Sequence, residues 1–350
     1  MGLSIIGTGR HVPPDVATNA DLARVMDTEA GWIKQRTGID QRHFARDGEG
    51  ASDLGAEAAR KALARARIAP EEVDYVIMST MTPDHHFPGP AGMVGAKLGI
   101  PGVPCLDIRQ QCASMIFQLQ VADALIKAGQ ARTILLVGAE AHAGFMPWED
   151  WDSRYGRGGN PPSKEAYDRA TRHRGLAVLF GDGGGAVVLR RTDDDKRGIL
   201  GVDVHTDGRH VDYIYIRGGF NKRPYVQKSD LDADMHIPEM KGKELFRHAV
   251  TKLPQSVRAL CERCHVKLEE VDLFVAHQAN DRINHAVREA LKAPVDKVPS
   301  NIANYGNTSA ATIPILLDEL NEQHRLKPGM LVCFLALGAG LHWGSALMRL

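Results

Sequence analysis

The chain has 350 residues, 43% of them hydrophobic and 25% charged, with 43 Lys plus Arg against 43 Asp plus Glu. That length supports one large domain or two fused halves rather than a string of modules. Balanced charge without a Lys/Arg-rich run argues against nucleic acid, and no apolar run nears the ~18–20 residues of a membrane span.

The start, Met1-Gly2-Leu3-Ser4-Ile5-Ile6-Gly7, has neither the basic region nor the apolar stretch of a signal peptide, and Ile6 breaks the myristoylation pattern. Five cysteines with no secretion signal read as reduced thiols in the cytoplasm. In chain order, Ser52–Arg67 reads as an amphipathic helix and Val73–Ser79 as a buried strand. Cys105–Ile108 reads as a strand that opens into an apolar helix over Met115–Ala128, and Thr133–Gly138 and Ala186–Leu189 as further strands. The second part repeats the rhythm: helix Lys243–Cys264, strand Leu273–Ala276, helices Ile283–Leu291 and Ser309–His324, strand Leu331–Leu337. Such alternation predicts an α/β architecture with sheets covered by helices. Two stretches, 141–174 and 207–239, are rich in Gly, Pro, Asp and aromatics and read as loops or insertions.

Glu71-Glu72-Val73-Asp74 returns as Glu269-Glu270-Val271-Asp272, 198 positions later, and the run ending Gly138-Ala139 is echoed by Gly338-Ala339, 200 later. Two echoes in the same order predict two duplicated halves, 1–193 and 194–350, with a site where they meet.

Cys261-Glu262-Arg263-Cys264-His265 fits a C-x-x-C-H haem-attachment pattern. It also continues a helical rhythm through Val257 and Leu260, which predicts small apolar packing instead. Gly181-Asp182-Gly183-Gly184-Gly185 precedes a strand, whereas a phosphate loop follows one, so a dinucleotide site is not expected. Cys112 stands at the start of the helix after Cys105–Ile108. The positive end of a helix dipole there would lower its pKa and favour the nucleophilic thiolate; the alternative is an ordinary buried cysteine. His277 follows the strand Leu273–Ala276, and Asn307 precedes a helix start whose place in the second half matches that of Cys112 in the first. If the halves converge, Cys112, His277 and Asn307 share one pocket and combine a nucleophile with donors for developing negative charge.

Three motifs carry a family likeness: Arg109-Gln110-Gln111-Cys112-Ala113-Ser114, His277-Gln278-Ala279-Asn280 and Tyr305-Gly306-Asn307-Thr308-Ser309. With Trp32-Ile33, Arg36-Thr37-Gly38, Phe87-Pro88, Phe180-Gly181-Asp182-Gly183 and Trp343-Gly344-Ser345, the chain resembles β-ketoacyl-acyl-carrier-protein synthase III of the thiolase superfamily. The resemblance implies a thiolase-like five-layered αβαβα fold and a cytoplasmic homodimer with no metal or resident cofactor. It implies a decarboxylating Claisen condensation of acyl-CoA with malonyl-acyl carrier protein through an acyl-Cys112 thioester, with His277 and Asn307 as donors. By the same resemblance, the backbone N–H groups of Cys112 and Ala339 form an oxyanion hole, and Trp32, Arg36 and Asn280 bind coenzyme A. Arg282 would receive carrier protein, and Phe87 would line the acyl pocket across the dimer interface.

Gln111, Ser114 and Met115 beside the cysteine, and extra sequence holding Trp148, Trp151, Tyr155 and Tyr167, predict an altered acyl tunnel or a covered mouth. The alternatives are a specialised acyltransferase or condensing enzyme of the same fold using a longer acyl-CoA or a non-malonyl acceptor, and a haem-carrying module on Cys261 and Cys264.

Overall fold

A computed structural model describes residues 2–148, 151–152 and 160–350. Residues 2–192 build a five-stranded sheet from β1 (Gly2–His11), β2 (Tyr75–Ser79), β3 (Cys105–Ile108), β4 (Thr133–Glu140) and β5 (Gly183–Thr192), in the order β1-β5-β4-β2-β3. Residues 198–349 build a second sheet from β6 (Gly198–Thr206), β7 (Leu273–Ala276), β8 (Leu331–Gly338) and β9 (His342–Arg349), in the order β7-β8-β9-β6. The pairs β2/β3, β2/β4 and β7/β8 are parallel; the other four pairs are antiparallel.

Helices α1 (Ala30–Thr37), α2 (Ala51–Ala66), α3 (Ala91–Lys97), α4 (Ser114–Lys127) and α5 (Lys164–Arg172) precede β5; α6 (Gly242–Arg263), α7 (Asp281–Leu291) and α8 (Thr312–Glu322) follow β6. The core clusters assign the layers. Ile116 and Leu119 of α4 and Ile313 and Leu317 of α8 share one core with Ile134 of β4 and Val332 of β8, so these two helices lie between the sheets. Ala58 and Ala62 of α2 and Val94 of α3 cover the outer face of the first sheet, and Val257 of α6 and Val287 of α7 cover that of the second. The result is the five-layered αβαβα arrangement. With helices on both faces, all eight residues of β4 and all eight of β8 are buried, which is why these strands read as unbroken apolar runs.

The duplication extends to individual hydrogen bonds. Asp74 N–H donates to the Thr133 carbonyl (2.9 Å) and Asp272 N–H to the Leu331 carbonyl (2.8 Å). The Asp74 carboxylate accepts from Thr133 N–H, and that of Asp272 from Leu331 N–H. These pairs fix β4 and β8 at an offset of 198, so Glu140, not Gly138, matches Gly338. The echo at 200 is therefore off by two, drawn there by a shared Gly-Ala pair.

Three strands of these two sheets are invisible to periodicity. β1 carries Gly7 and Gly9, where a Cβ would lie 2.3 Å from the Ala62 and Ala58 carbonyls of α2; helix contact overrides strand composition. β6, at the edge of the second sheet, mixes exposed with buried positions irregularly, while β9 is buried without alternation from Gly344 to Met348 but carries Gly344 and Ser345 in that run. The stretch 141–174 is not all loop, since it holds α5, and 207–239 includes a short helix at Lys228–Asp232. Cys261 packs among Val257, Leu260 and Leu347, in keeping with the packing reading of the C-x-x-C-H run. Among the described residues no helix is long and apolar enough to cross a membrane.

Candidate active site

Cys112 lies in a single helical turn, Gln111–Ala113, between β3 and α4. Gln111 opens the turn at φ 45°, and its counterpart Ser309 opens the turn Ser309–Ala311 at φ 47°. Left-handed backbone at a non-glycine residue costs on the order of 1–2 kcal/mol. The same strain at both places marks a turn held by its surroundings. Part of what holds it is the opposite half: a Cβ on Gly338 would sit 2.9 Å from Cys112 N, and one on Gly138 would sit 2.3 Å from the Ala310 carbonyl.

The two halves bring Cys112, His277 and Asn307 to the wall of one cavity of about 130 Å³. Ala339 and Asn280 line it too, with Leu245, Leu253 and Ile283 supplying apolar surface. Asn307 is clamped to the first half, donating its N–H to the Leu179 carbonyl (2.9 Å) and accepting from Gly181 N–H (3.1 Å). Its Oδ1 accepts from Ser309 N–H at 2.8 Å, which leaves the NH2 end as donor. His277 Nδ1 meets the Thr312 hydroxyl at 2.7 Å, and that hydroxyl is 3.1 Å from the Ser309 carbonyl. Cys112 Sγ is 3.3 Å from Ser309 Oγ.

Burial, opposed by the bond to Ser309 and aided by the charge of Glu140, pushes the Cys112 thiol up to about 12. The expected depression by the helix dipole does not prevail, because losing water costs the thiolate more than one helix end returns. Burial also pushes His277 down to about 3. The resting pair is thus a neutral thiol and a neutral imidazole, not a thiolate–imidazolium pair.

The other expected residues fall into two groups. Trp32 on α1 has the Arg36 guanidinium 5.8 Å from its ring centroid. Asn280 caps α7 by accepting from Arg282 N–H and donates Nδ2 to the Arg36 carbonyl at 3.1 Å, tying that cluster to the His277 loop. Arg282 is exposed at the start of α7, its guanidinium 5.8 Å from the Phe246 ring. Phe87 stands apart, 78% exposed and absent from the wall of this cavity. Among the described residues of the aromatic insertion, none lines the cavity. Trp148 and Trp151 pack edge-on to Phe44 in the core beneath Trp32, while Tyr155 lies outside the described residues.

Comparison with known proteins agrees with this geometry. Residues 106–208 and 261–350 match models of 3-oxoacyl-[acyl-carrier-protein] synthase III and its C-terminal part, and residues 34–150 match the thiolase N-terminal domain. The β-ketoacyl-[acyl-carrier-protein] synthase III of Rhodospirillum rubrum is 42% identical over 99% of this chain and 98% of its own. The chain belongs to the β-ketoacyl-acyl-carrier-protein synthase III family. Two solved synthase III structures superpose along nearly the full length. The Aquifex aeolicus protein has TM-score 0.85 and 38% identity, covering 100% of both chains, and the Pseudomonas aeruginosa protein has 0.84 and 35%, covering 100% of this chain and 98% of its own.

Within this synthase III chain, sequence reasoning missed four residues at the site. Ser309 and Thr312 carry no charge and read as helix-start residues. Glu140 reads as the polar end of a strand, yet it is fully buried, taking bonds from Thr80, Met81 and Thr82 on one oxygen and from Ala310 N–H (3.3 Å) on the other. Arg174 lies with its guanidinium 5.3 Å from the Trp32 ring centroid. An arginine at the end of an insertion gives no sequence signal of pairing with a tryptophan so far upstream.

Proposed function

We propose that this synthase III condenses an acyl-CoA starter with malonyl-acyl carrier protein, with loss of carbon dioxide, as a cytoplasmic homodimer. The observation that carries the reading is the convergence of Cys112, His277 and the NH2 end of Asn307 on one largely apolar cavity.

In the first step, Cys112 Sγ attacks the acyl thioester carbonyl and the carbon–sulfur bond to coenzyme A breaks. The thiol proton ends on the departing coenzyme A thiolate. The oxyanion of the tetrahedral intermediate is met by the backbone N–H groups of Cys112 and Ala339, donors that cost no rearrangement. In the second step, His277 and Asn307 donate to the malonyl thioester oxygen. They stabilise the enolate that carbon dioxide leaves behind, where their bonds strengthen as charge develops. A neutral imidazole suits this role because it donates without surrendering its proton. The carbanion then attacks the acyl-Cys112 carbonyl, the carbon–sulfur bond breaks to release Cys112 as a thiolate that regains its proton from water, and a β-ketoacyl thioester is formed.

The same reading divides the chain into halves 1–193 and 194–350. It assigns Trp32, Arg36, Asn280 and Arg174 to the coenzyme A nucleotide, Arg282 to the acidic carrier protein, and Phe87 to the partner's acyl pocket. Exposure of Phe87 supports that last assignment, since a large apolar ring in water gains from being covered. Coenzyme A takes part as substrate, so no resident cofactor is needed. Intact-mass measurement after incubation with a panel of acyl-CoA thioesters tests the reading. An adduct mapped to Cys112, and carbon dioxide release from carboxyl-labelled malonyl carrier protein, are expected; absence of both would sink it.

A further inference from the structure

One residue outside the catalytic trio is bonded towards all three of its members. Ser309 accepts from the Cys112 thiol at its hydroxyl oxygen (3.3 Å) and gives its N–H to Asn307 Oδ1 (2.8 Å). Its carbonyl is 3.1 Å from the Thr312 hydroxyl, which lies 2.7 Å from His277 Nδ1. Ser309 and Thr312 are both buried, and Ser309 is held in left-handed backbone at φ 47°. Buried polar groups this closely connected act as a unit, and strained backbone at a site persists only where its surroundings over-determine it.

We propose that Ser309 and Thr312 form a positioning hub that presents the Cys112 thiol, the Asn307 amide and the His277 ring to the substrates from a single turn. The proposal rests on the trio acting as described above. Each link has a separate task. The Ser309 hydroxyl accepts from the Cys112 thiol and points its own hydrogen at the Met81 sulfur (3.5 Å); turned towards Cys112 Sγ as the thiol gives up its proton, it donates to the thiolate. It therefore serves acylation. The Ser309 N–H holds Oδ1 of Asn307, so the amide cannot flip and offer an acceptor to the malonyl oxygen. The Thr312 hydroxyl has one hydrogen and two acceptors within reach. Pointed at His277 Nδ1, it keeps the ring proton on Nε2, the nitrogen that must donate during decarboxylation. Pointed at the Ser309 carbonyl, it accepts from Nδ1–H and leaves Nε2 as an acceptor. Thr312 therefore serves decarboxylation.

Separate tasks predict separable damage. Ser309→Ala should slow formation of the acyl-Cys112 adduct about tenfold more than it slows carbon dioxide release from malonyl carrier protein. It should also move the pH profile of Cys112 alkylation to higher pH. The titratable groups near the thiol, Glu140 and His277, are unaltered in that variant, so such a shift reports the lost hydroxyl. Thr312→Val should do the reverse, slowing carbon dioxide release about tenfold more than adduct formation, and Thr312→Ser should restore it to within about threefold. Both steps are read by intact mass and by labelled carbon dioxide on the full-length protein, with thermal unfolding of each variant alongside. If the wild type forms the adduct at Cys112 but both variants slow the two steps equally, or slow neither, the hub is overturned and the trio stands. A Thr312→Ser protein as slow as Thr312→Val also overturns it. A wild type that forms no adduct at Cys112 overturns the trio and the hub together.

Discussion

The turns Gln111–Ala113 and Ser309–Ala311 are one piece of backbone built twice, alike in strain and in their place before the central helices. They differ in what meets the middle residue. Ala310 N–H is taken by the Glu140 carboxylate from the end of β4. The matching end of β8 is Gly338, which brings no side chain to Cys112 N and leaves no room for one. One turn is thus closed by a carboxylate, while the other keeps its N–H next to a cavity and carries a thiol. Duplication supplied the geometry twice. Unequal side chains at matching positions confined the chemistry to one copy.

The most direct way to break this comparison is to move the nucleophile. Cys112→Ala should abolish the acyl adduct and retain decarboxylation, and adding Ala310→Cys should not restore the adduct, because Glu140 already occupies that turn. Mass spectrometry that finds an adduct at position 310 would show the two turns to be chemically equivalent. Next in size is Gly338→Ala. Its Cβ would crowd Cys112 N, and loss of an oxyanion donor costs ~10²–10³ in kcat; steady-state kinetics with acyl-CoA should show a fall of that order with smaller change in KM. Asn307→Ala should lower carbon dioxide release by ~10² while adduct formation is largely kept, which labelled malonyl carrier protein would reveal.

Acid should expose the buried imidazole. With its folded pKa at about 3 against 6.5 unfolded, His277 makes the unfolded chain bind more protons between those values. Stability therefore falls as pH drops from about 6.5 towards 3, by at most ~1.4 kcal/mol per unit from this residue. Urea melts across that range should steepen in the wild type relative to His277→Gln. The smallest effect belongs to Glu140→Gln. Removing the charge that helps raise the Cys112 thiol should move its alkylation profile modestly to lower pH, with burial still dominant.

Much of this molecule was legible from its residues. Apolar strands sealed by helices on both faces left unbroken runs, and the repeated Glu-Glu-Val-Asp marked the duplication because the aspartate is bonded identically in both halves. Strands β1 and β6 were illegible, since tight packing against α2 selects glycine in one and mixed exposure blurs the period of the other. At the site, Cys112, His277 and Asn307 stood out through residue type and motif. Ser309 and Thr312 did not, because their importance lies in what they touch. Nor did the high pKa of Cys112, which depends on how much water the fold removes.

Gly138 and Gly338 also bear on how the protein comes into being. Gly138 within β4 and Gly338 at the end of β8 each lie against the turn of the opposite half, so each turn takes its final packing from the other half. A nascent or partly unfolded chain therefore exposes Cys112 as an ordinary solvated thiol. Activity should appear in refolding only with the docking of the halves, as a late all-or-none event rather than in proportion to the secondary structure regained.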